Sequence, residues 1–185
     1  MAIVLFRNDY RWLSNFVLAN VKYEGITYPS VEHAYQAAKT TDVDTRECIA
    51  IAPTAGIAKK MGSSVVLRPD WDNVKLDIMK DLVTQKFNDD KYKELLLNTN
   101  KHKLIEGNSW GDTFWGECDG IGQNHLGKIL MKVRADLAKQ HKIELQDVND
   151  ILCKTCGAYM IERSGKFGKF LGCSAYPKCK YTERI

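Results

Sequence analysis

Long hydrophobic runs are absent from this sequence. None of its 185 residues falls in a stretch that approaches the ~20 apolar residues needed to span a bilayer. The opening segment, MAIVLFRNDY, holds too short an apolar core for a signal peptide. We therefore expect a protein that has no membrane partner and stays in the cytoplasm, which would be the host cytoplasm if a phage encodes it.

A surplus of positive charge is absent from most of the chain as well. Residues 1–150 carry 20 lysines and arginines against 21 acidic residues, whereas residues 151–185 carry 7 against 2. The tail therefore holds the whole positive surplus. A basic segment attracts acidic partners, and nucleic acid is the natural candidate. The hydrophobic share of 44% is ordinary for a globular protein and excludes general disorder.

Cysteine is scarce, and most of it lies in the tail. Six cysteines without a secretion signal do not indicate a disulfide framework, because the cytosol keeps thiols reduced. Four of them form two close pairs, and such pairs supply the thiolates of a tetrahedral structural zinc. A segment this small needs the metal in order to fold. We predict one structural zinc ion with four ligands: Cys153, Cys156, Cys173 and Cys179.

The run between the cysteine pairs predicts short strands that reverse at Ser164-Gly165. Its aromatic and apolar residues alternate with cations, a pattern in which bases stack on rings and phosphates meet lysine or arginine. Packing of the small module explains the same rings, so both interpretations stay open at this point. The apolar and aromatic residues are Tyr159, Ile161, Phe167, Phe170 and Leu171.

The whole tail segment, CKTCGAYMIERSGKFGKFLGCSAYPKC, resembles the zinc ribbons at the C-terminus of bacterial type IA topoisomerases. The resemblance implies contact with single-stranded DNA. We therefore expect a small β zinc ribbon at residues 151–185, joined by a linker at residues 141–150 to a main domain at residues 1–140.

The main domain reads as an α+β fold weighted toward helix. The predicted strands lie at residues 3–6, around residues 21–28 and at residues 103–106. The predicted helices cover residues 31–40, with Ser30 as N-cap, and residues 54–61, 70–87, 91–99 and 124–139.

The helix at residues 31–40 carries two neighbouring stripes. Its apolar stripe should pack, while Glu32, Gln36 and Lys39 share the adjoining face. Such a stripe is more often a solvated surface than a site, and both readings stay open on periodicity alone.

A second polar cluster occupies residues 107–127, a loop too long for a simple connector. It contains Asp112 and two tryptophans, which core packing explains equally well. Glycines flank the start of the last helix, where free backbone N–H groups could hold a phosphate.

These motifs, taken in order, resemble the YbiA/NADAR family over nearly all of residues 5–138. The matching elements are SNF at 14–16, YPSVEHAYQAAK at 28–39, Trp71 with NVK behind it, D-x2-WG at 112–116 and GQNHLGKILM at 122–131. The segment at 116–119 departs from the pattern, because many members have a further glycine soon after the WG pair.

The resemblance implies an N-glycosidase that acts on ribosyl substrates without a catalytic cofactor. Carried onto this chain, it makes Glu32, Lys39, Trp71 and Asp112 the expected catalytic residues. The expected substrate-binding or framework residues are Asn15, Gln36, Trp115, Gly116 and Asn124.

These residue types suit the reaction. Cleavage of a ribose–base bond passes through an oxocarbenium-like transition state, which needs one carboxylate near the anomeric carbon and another group to assist water or the departing base. Glu32 and Asp112 fit those two roles. Lys39 could stabilise a carboxylate or phosphate, or attack the sugar itself, and Trp71 could stack on a base.

The basic ribbon selects among the substrates that the family allows. Our leading hypothesis is removal of ADP-ribose from guanine bases in DNA, with ADP-ribosylated, single-stranded DNA as the partner. One alternative is hydrolysis of an aminopyrimidine ribosyl phosphate intermediate of riboflavin biosynthesis. Another is a non-catalytic reader of ADP-ribose or modified DNA.

Overall fold

The computed structural model describes residues 2–148, 150–166 and 168–185. Helices dominate the first two thirds of the chain, and strands dominate the tail. A short 3-10 helix covers Asn8–Leu13. The α-helices of the described residues are α1 Val31–Ala37, α2 Val43–Ala50, α3 Ala55–Gly62, α4 Trp71–Asn88, α5 Asp90–Leu97 and α6 His125–His141.

The strands are short and form four small sheets within the described residues. β1 and β4 pair in parallel, as do β5 and β6, whereas the hairpin β2–β3 and the ribbon strands β7–β8–β9 are antiparallel. Their bounds are β1 Ile3–Val4, β2 Val21–Tyr23, β3 Ile26–Tyr28, β4 Leu104–Ile105, β5 Gly107–Asn108, β6 Glu117–Cys118, β7 Met160–Gly165, β8 Gly168–Cys173 and β9 Thr182–Arg184.

Close backbone contacts group the chain into two units. One unit is Arg11–Leu96, and the other combines the residues up to Tyr10 with those from Leu97 onward. Each unit is described by itself below.

Helix α1 is the centre of the unit Arg11–Leu96. All of its residues are buried, because α2, α3, α4 and the hairpin β2–β3 all pack against it. The chain enters the helix at Ser30, whose side chain accepts a hydrogen bond from the backbone N–H of His33 and confirms the predicted N-cap. Asp42 and Thr54 cap α2 and α3 in the same way.

His33 fixes α1 to the segment that follows α2. Its Nε2 lies 3.1 Å from the carbonyl oxygen of Ala52 and its Nδ1 lies 2.7 Å from the Ser30 hydroxyl. Nε2 therefore carries the hydrogen, and the hydroxyl donates to Nδ1. Burial lowers the pKa of His33, so this histidine is a neutral, structural member of the core.

In the other unit, helix α6 packs against β4. Asn124 joins the two, since its Nδ2 donates to the carbonyl of Leu104 and its Oδ1 accepts from the backbone N–H of Glu106. Gly127 allows this close approach, because a Cβ there would lie 2.2 Å from the Leu104 oxygen.

The predicted α+β class is confirmed, with differences at the boundaries. Helix α1 ends at Ala37 rather than at residue 40, where the backbone turns toward α2. The predicted loop at 107–127 contains the strands β5 and β6. In the ribbon, Gly165 pairs with Gly168, so the reversal comes after Gly165 rather than at Ser164-Gly165. Phe167 lies outside the described residues. Among the helices of the described part of the chain, none has the length and hydrophobicity that crossing a membrane requires.

Candidate active site and metal centre

A buried carboxylate is the most unusual feature of the unit Arg11–Leu96. Glu32 lies in the first turn of α1 and is only 7% exposed. Burial raises the pKa of Glu32 above the ordinary range of a glutamate, while a hydrogen bond from Gln36 and the charges of Lys59 and Lys39 act in the opposite direction. A carboxyl group held in this way favours the protonated form and can serve as a general acid.

Gln36 holds Glu32 in place. Its Nε2 donates to Glu32 Oε1 at 2.7 Å, one helical turn apart. The glutamine is itself packed against the end of α3, where a Cβ on Gly62 would lie 2.2 Å from Gln36 Oε1. Only glycine leaves room for this amide, so α3 positions the carboxylate through Gln36.

Asn15 contributes a second buried amide beside Glu32. Its backbone carbonyl accepts the N–H of Glu32 at 3.1 Å, and its Nδ2 lies 3.3 Å from the sulfur of Met79. Within the described residues, neither Asn15 Oδ1 nor Gln36 Oε1 has a hydrogen-bond partner. Buried acceptors without partners are costly, and those of a binding site are completed by donors on the ligand.

Two lysines from different segments of the chain influence Glu32. Lys39 follows the end of α1 and Lys59 lies in α3. Burial lowers the pKa of Lys39, the charge of Glu32 opposes this effect and the charge of Lys59 adds to it. One buried carboxylate thus lies in the field of two cations, an arrangement that suits an anionic ligand.

Aromatic rings accompany both lysines. The rings of Tyr35 and Trp71 are in contact, with centroids 5.1 Å apart, and Lys39 Nζ lies 6.0 Å from the Tyr35 ring centre. Lys59 Nζ lies 5.8 Å from the ring of Phe16, which is 41% exposed. Flat rings of this kind can stack on a nucleobase.

The loop of the other unit is organised by Asp112. One carboxylate oxygen, Oδ1, accepts the backbone N–H groups of Phe114 and Trp115 at 3.0 and 2.9 Å. The backbone of Asp112 exchanges two hydrogen bonds with the side chain of Asn108. The side chain of Asp112 therefore fixes the turn that carries Trp115, whose ring contacts His125 and Phe114.

The start of α6 does not offer the free N–H groups that the glycine spacing suggested. The N–H groups of Asn124, His125 and Leu126 donate to the carbonyls of residues 116, 114 and 115. Gly116 lets the loop approach the residue before β5, since a Cβ there would lie 2.0 Å from the Glu106 carbonyl oxygen. The expectation of a phosphate held by these donors is wrong, because the loop itself occupies them. Gly116 and Asn124 act as framework residues.

The four cysteines of the tail converge at one point. Their sulfur atoms all lie within 4.8 Å of one another, with 3.7 Å between Cys153 and Cys179 and 3.4 Å between Cys156 and Cys173. Four thiolates at ~2.3 Å from a tetrahedral ion are about 3.8 Å apart, whereas disulfide sulfurs are ~2.05 Å apart. The cluster therefore fits a metal ion and excludes a disulfide.

The ribbon has little else to hold it together. Among its described residues, the buried core besides the cysteines consists of Met160 and Leu171, with Ala158, Ala175 and Tyr181 partly buried against it. Gly157 adopts a φ of +73° just after the first cysteine pair, and its N–H donates to the carbonyl of Cys153, which shapes the turn that holds a ligand pair. Such a core is too small to fold alone, so a metal would supply much of its stability.

Comparison with known proteins finds two family matches in this chain. The NADAR domain family matches residues 5–138, and the topoisomerase DNA binding C4 zinc finger matches residues 150–185. The chain belongs to the NADAR domain family. The resemblance inferred from the sequence motifs is thereby confirmed.

Relatives of this NADAR protein carry two kinds of name. N-glycosidase YbiA of Escherichia coli K12 is 37% identical over 135 residues, which cover 71% of this chain and 84% of the relative. A riboflavin biosynthesis protein of Vibrio vulnificus is 35% identical over 133 residues, covering 70% of this chain and 36% of that protein.

Among solved structures, the NMR structure of the Escherichia coli protein YbiA matches with a TM-score of 0.66. It is 32% identical, and the match covers 80% of this chain and 94% of that chain.

Within the NADAR domain, the expected site residues fall into two groups. One unit gathers residues around the buried carboxylate, and the other places its residues in or beside the loop at 107–127. The first group is Asn15, Glu32, Gln36, Lys39 and Trp71, and the second is Asp112, Trp115, Gly116 and Asn124.

Sequence analysis did not single out three residues of the cluster around the buried carboxylate and its lysines. Lys59 and Gly62 lie on α3, which carried no recognised motif, and Phe16 follows Asn15 in the SNF element but was not assigned a role. The helical spacing of Lys59 and Gly62 on α3 was a usable signal only once the pairing of α3 with α1 was known.

Proposed function

We propose that this NADAR protein is an N-glycosidase that removes ADP-ribose from guanine bases in DNA. The observation that carries the proposal is the buried Glu32, held by Gln36 and lying in the field of two lysines. Glu32 donates its proton to the departing base as the bond between ribose and base breaks, and water then supplies the new hydroxyl group on the sugar while its other proton returns to Glu32. The carboxylate left behind is compensated by Lys39 and Lys59.

The same cations suit the rest of an ADP-ribosyl substrate. Its diphosphate is anionic, so Lys59 at the exposed side of α3 is a proposed phosphate contact. Trp71 and Phe16 offer rings for a base, and the free acceptors of Asn15 and Gln36 can take hydrogen bonds from sugar hydroxyls or an exocyclic amine. Asp112 is proposed as the second catalytic carboxylate on the family pattern alone.

We further propose that residues 1–140 form the glycosidase domain, residues 141–150 a linker and residues 151–185 a zinc ribbon that targets the enzyme to single-stranded DNA. Zinc is the proposed metal because four thiolates in a tetrahedron are its preferred structural site. Chelation should release about one zinc per chain and unfold the ribbon. A metal content of zero in protein purified without chelators contradicts this assignment.

The test of the reaction is direct. Single-stranded DNA that carries one ADP-ribosylated guanine is incubated with the enzyme, and the products are identified by mass spectrometry. We expect unmodified DNA and free ADP-ribose. Persistence of the intact adduct at stoichiometric enzyme contradicts the proposal.

A second candidate is hydrolysis of an aminopyrimidine ribosyl phosphate, which the name of the Vibrio relative favours. Free metabolites do not need a basic ribbon, and this argues for the DNA substrate. A non-catalytic reader is the third candidate. It would have no use for a buried acid, since burying a carboxyl group beside Asn15 costs stability and adds nothing to simple retention of the ligand.

A further inference from the structure

A groove of about 860 Å³ lies within the unit that contains the ribbon. One wall is the N-terminal segment at residues 2–5 and 7–10, and the other consists of the ribbon strands β7 and β8 and residues 176 and 179–182. Nothing in the glycosidase chemistry uses this groove, and the ribbon match covers only one of its walls.

Each wall carries an arginine stacked on an exposed aromatic ring. Arg7 lies 5.5 Å from the ring centre of Trp110, and Arg163 lies 5.8 Å from that of Tyr176. The two rings are 56% and 60% exposed, so each offers a face on which a base can stack. An arginine held on a ring is already ordered, so it loses less entropy when it binds a phosphate.

The charges of the groove favour an anionic strand. The groove is lined by two acids, Asp9 and Glu162, and Glu162 is already paired with Lys169 at 2.6 Å. Arg7, Arg163 and Lys180 line the groove, and the ribbon remains net positive after four thiolates and one divalent metal are counted. Proteins that bind single-stranded nucleic acids combine basic side chains, which contact phosphates, with aromatic rings, on which bases stack.

Contacts attach the ribbon to the rest of its unit, and in the other wall the N–H of Ile3 donates to the carbonyl of Lys103 at 2.8 Å. Lys178 of the ribbon forms an ion pair of 2.8 Å with Asp119 of the loop after β6. Lys103, next to β4, lies 5.0 Å from the ring of Tyr159, and a hydrogen bond with that hydroxyl raises the pKa of Lys103. The groove is therefore formed before any ligand arrives.

We propose that this groove binds a single-stranded nucleic acid and that the N-terminal segment shares the binding with the ribbon. Phosphates contact the two arginines, and bases stack on the rings beside them. The inference rests on the proposed function for its biological purpose, and it adds that the targeting surface is not confined to the ribbon.

The test measures binding of the full-length, zinc-loaded protein to a fluorescent single-stranded DNA of arbitrary sequence by anisotropy. Arg7→Ala should weaken the affinity about tenfold and lower the slope of log K against log salt by about one. Arg163→Ala should do the same. Arg11→Ala removes the same charge at an exposed position outside the groove, and we expect wild-type affinity for it.

Trp110→Ala separates stacking from charge. It should weaken binding to the normal strand several-fold but have little effect on an abasic strand of equal length, since stacking is worth about 1–3 kcal/mol per base. An RNA strand of the same sequence tests whether the groove distinguishes ribose from deoxyribose. Equal affinity for RNA and DNA means that the groove contacts only phosphates and bases. Melting curves check that each variant is folded.

If Arg7→Ala binds the strand with wild-type affinity and Arg163→Ala binds it more weakly, recognition is confined to the ribbon. That result overturns the inference. The outcomes also separate it from the proposed function. A wild-type protein that cleaves the free ADP-ribosylguanosine nucleoside but does not bind the strand overturns the groove alone. One that binds the strand but cleaves neither substrate overturns the glycosidase and leaves the groove intact.

Discussion

Replacement of Glu32 by glutamine tests the buried acid with the least change of shape. The amide has the same size as the carboxyl group and its Oε1 can still accept the hydrogen bond that Gln36 donates at 2.7 Å. The variant therefore removes both the proton donor and the buried ionisable group, which are the same carboxyl group. It leaves the packing of α1 unchanged.

The two losses act in opposite directions on activity and stability. A positioned general acid contributes about 10²–10⁴ in rate, so kcat should fall by at least that lower factor. Because burial opposes the ionisation of Glu32, removal of this ionisable group should raise the free energy of unfolding by about 1–2 kcal/mol at neutral pH. For a chain of this size that corresponds to an increase of about 2–8 °C in Tm.

The pH dependence of Tm identifies the cause of the increased stability of Glu32→Gln. Because burial raises the pKa of Glu32 in the folded state, the folded protein binds a proton more tightly than the unfolded chain. The stability that this group contributes is complete below the unfolded pKa and is lost as pH rises through the folded pKa. Glu32→Gln should therefore melt with the wild type at low pH and above it at higher pH.

Melting curves between about pH 4 and pH 9 measure the effect on stability. Single-turnover assays on the DNA adduct measure the effect on activity. A variant with full activity removes Glu32 from the catalytic role. A variant that is inactive and less stable than the wild type at every pH contradicts the idea that the carboxyl group is a strained, buried acid.

Three further predictions concern other residues to which we assign a functional or positioning role. Lys59→Ala should raise KM for an ADP-ribosylated substrate about tenfold by removing a phosphate contact, with the neighbouring Lys60→Ala as control. An equal effect of both would indicate general surface charge. Gly62→Ala should lower kcat at least tenfold by displacing the amide that holds the acid, whereas Gly56→Ala, whose Cβ would approach nothing closer than 3.8 Å, should not. Unchanged kcat for both would exclude positioning through α3. Asp112→Asn keeps the oxygen that orders the loop, so we expect unchanged Tm and a fall of about 10² or more in kcat. Wild-type kcat would restrict this residue to a structural role.

The local parts of the fold could be predicted from the sequence, and the tertiary parts could not. Cysteine spacing placed four ligands together because both pairs lie on tight turns whose geometry is set nearby. The Ser30 cap was equally local. The burial of Glu32 depends on α2, α3 and α4, which pack against α1 from later segments of the chain, and no periodicity within α1 reveals them.

In the loop at 107–127, the sequence pattern led to a wrong expectation. Its glycines were correctly recognised as special, but the pattern suggested an open phosphate site. In the folded loop, the glycines let one backbone segment approach another, and the carbonyls of residues 113–116 take up the N–H groups of residues 123–126. A glycine pattern alone does not distinguish a ligand from a neighbouring strand of the same chain.

The central claim is that a NADAR glycosidase is directed to DNA by its ribbon. The most direct measurement compares kcat/KM of the wild-type protein on single-stranded DNA carrying ADP-ribosylated guanine with kcat/KM on a free aminopyrimidine ribosyl phosphate. We predict a preference for the DNA adduct of at least about 10², corresponding to roughly 2.7 kcal/mol in transition-state binding. Equal values, or a preference for the free metabolite, would contradict the account.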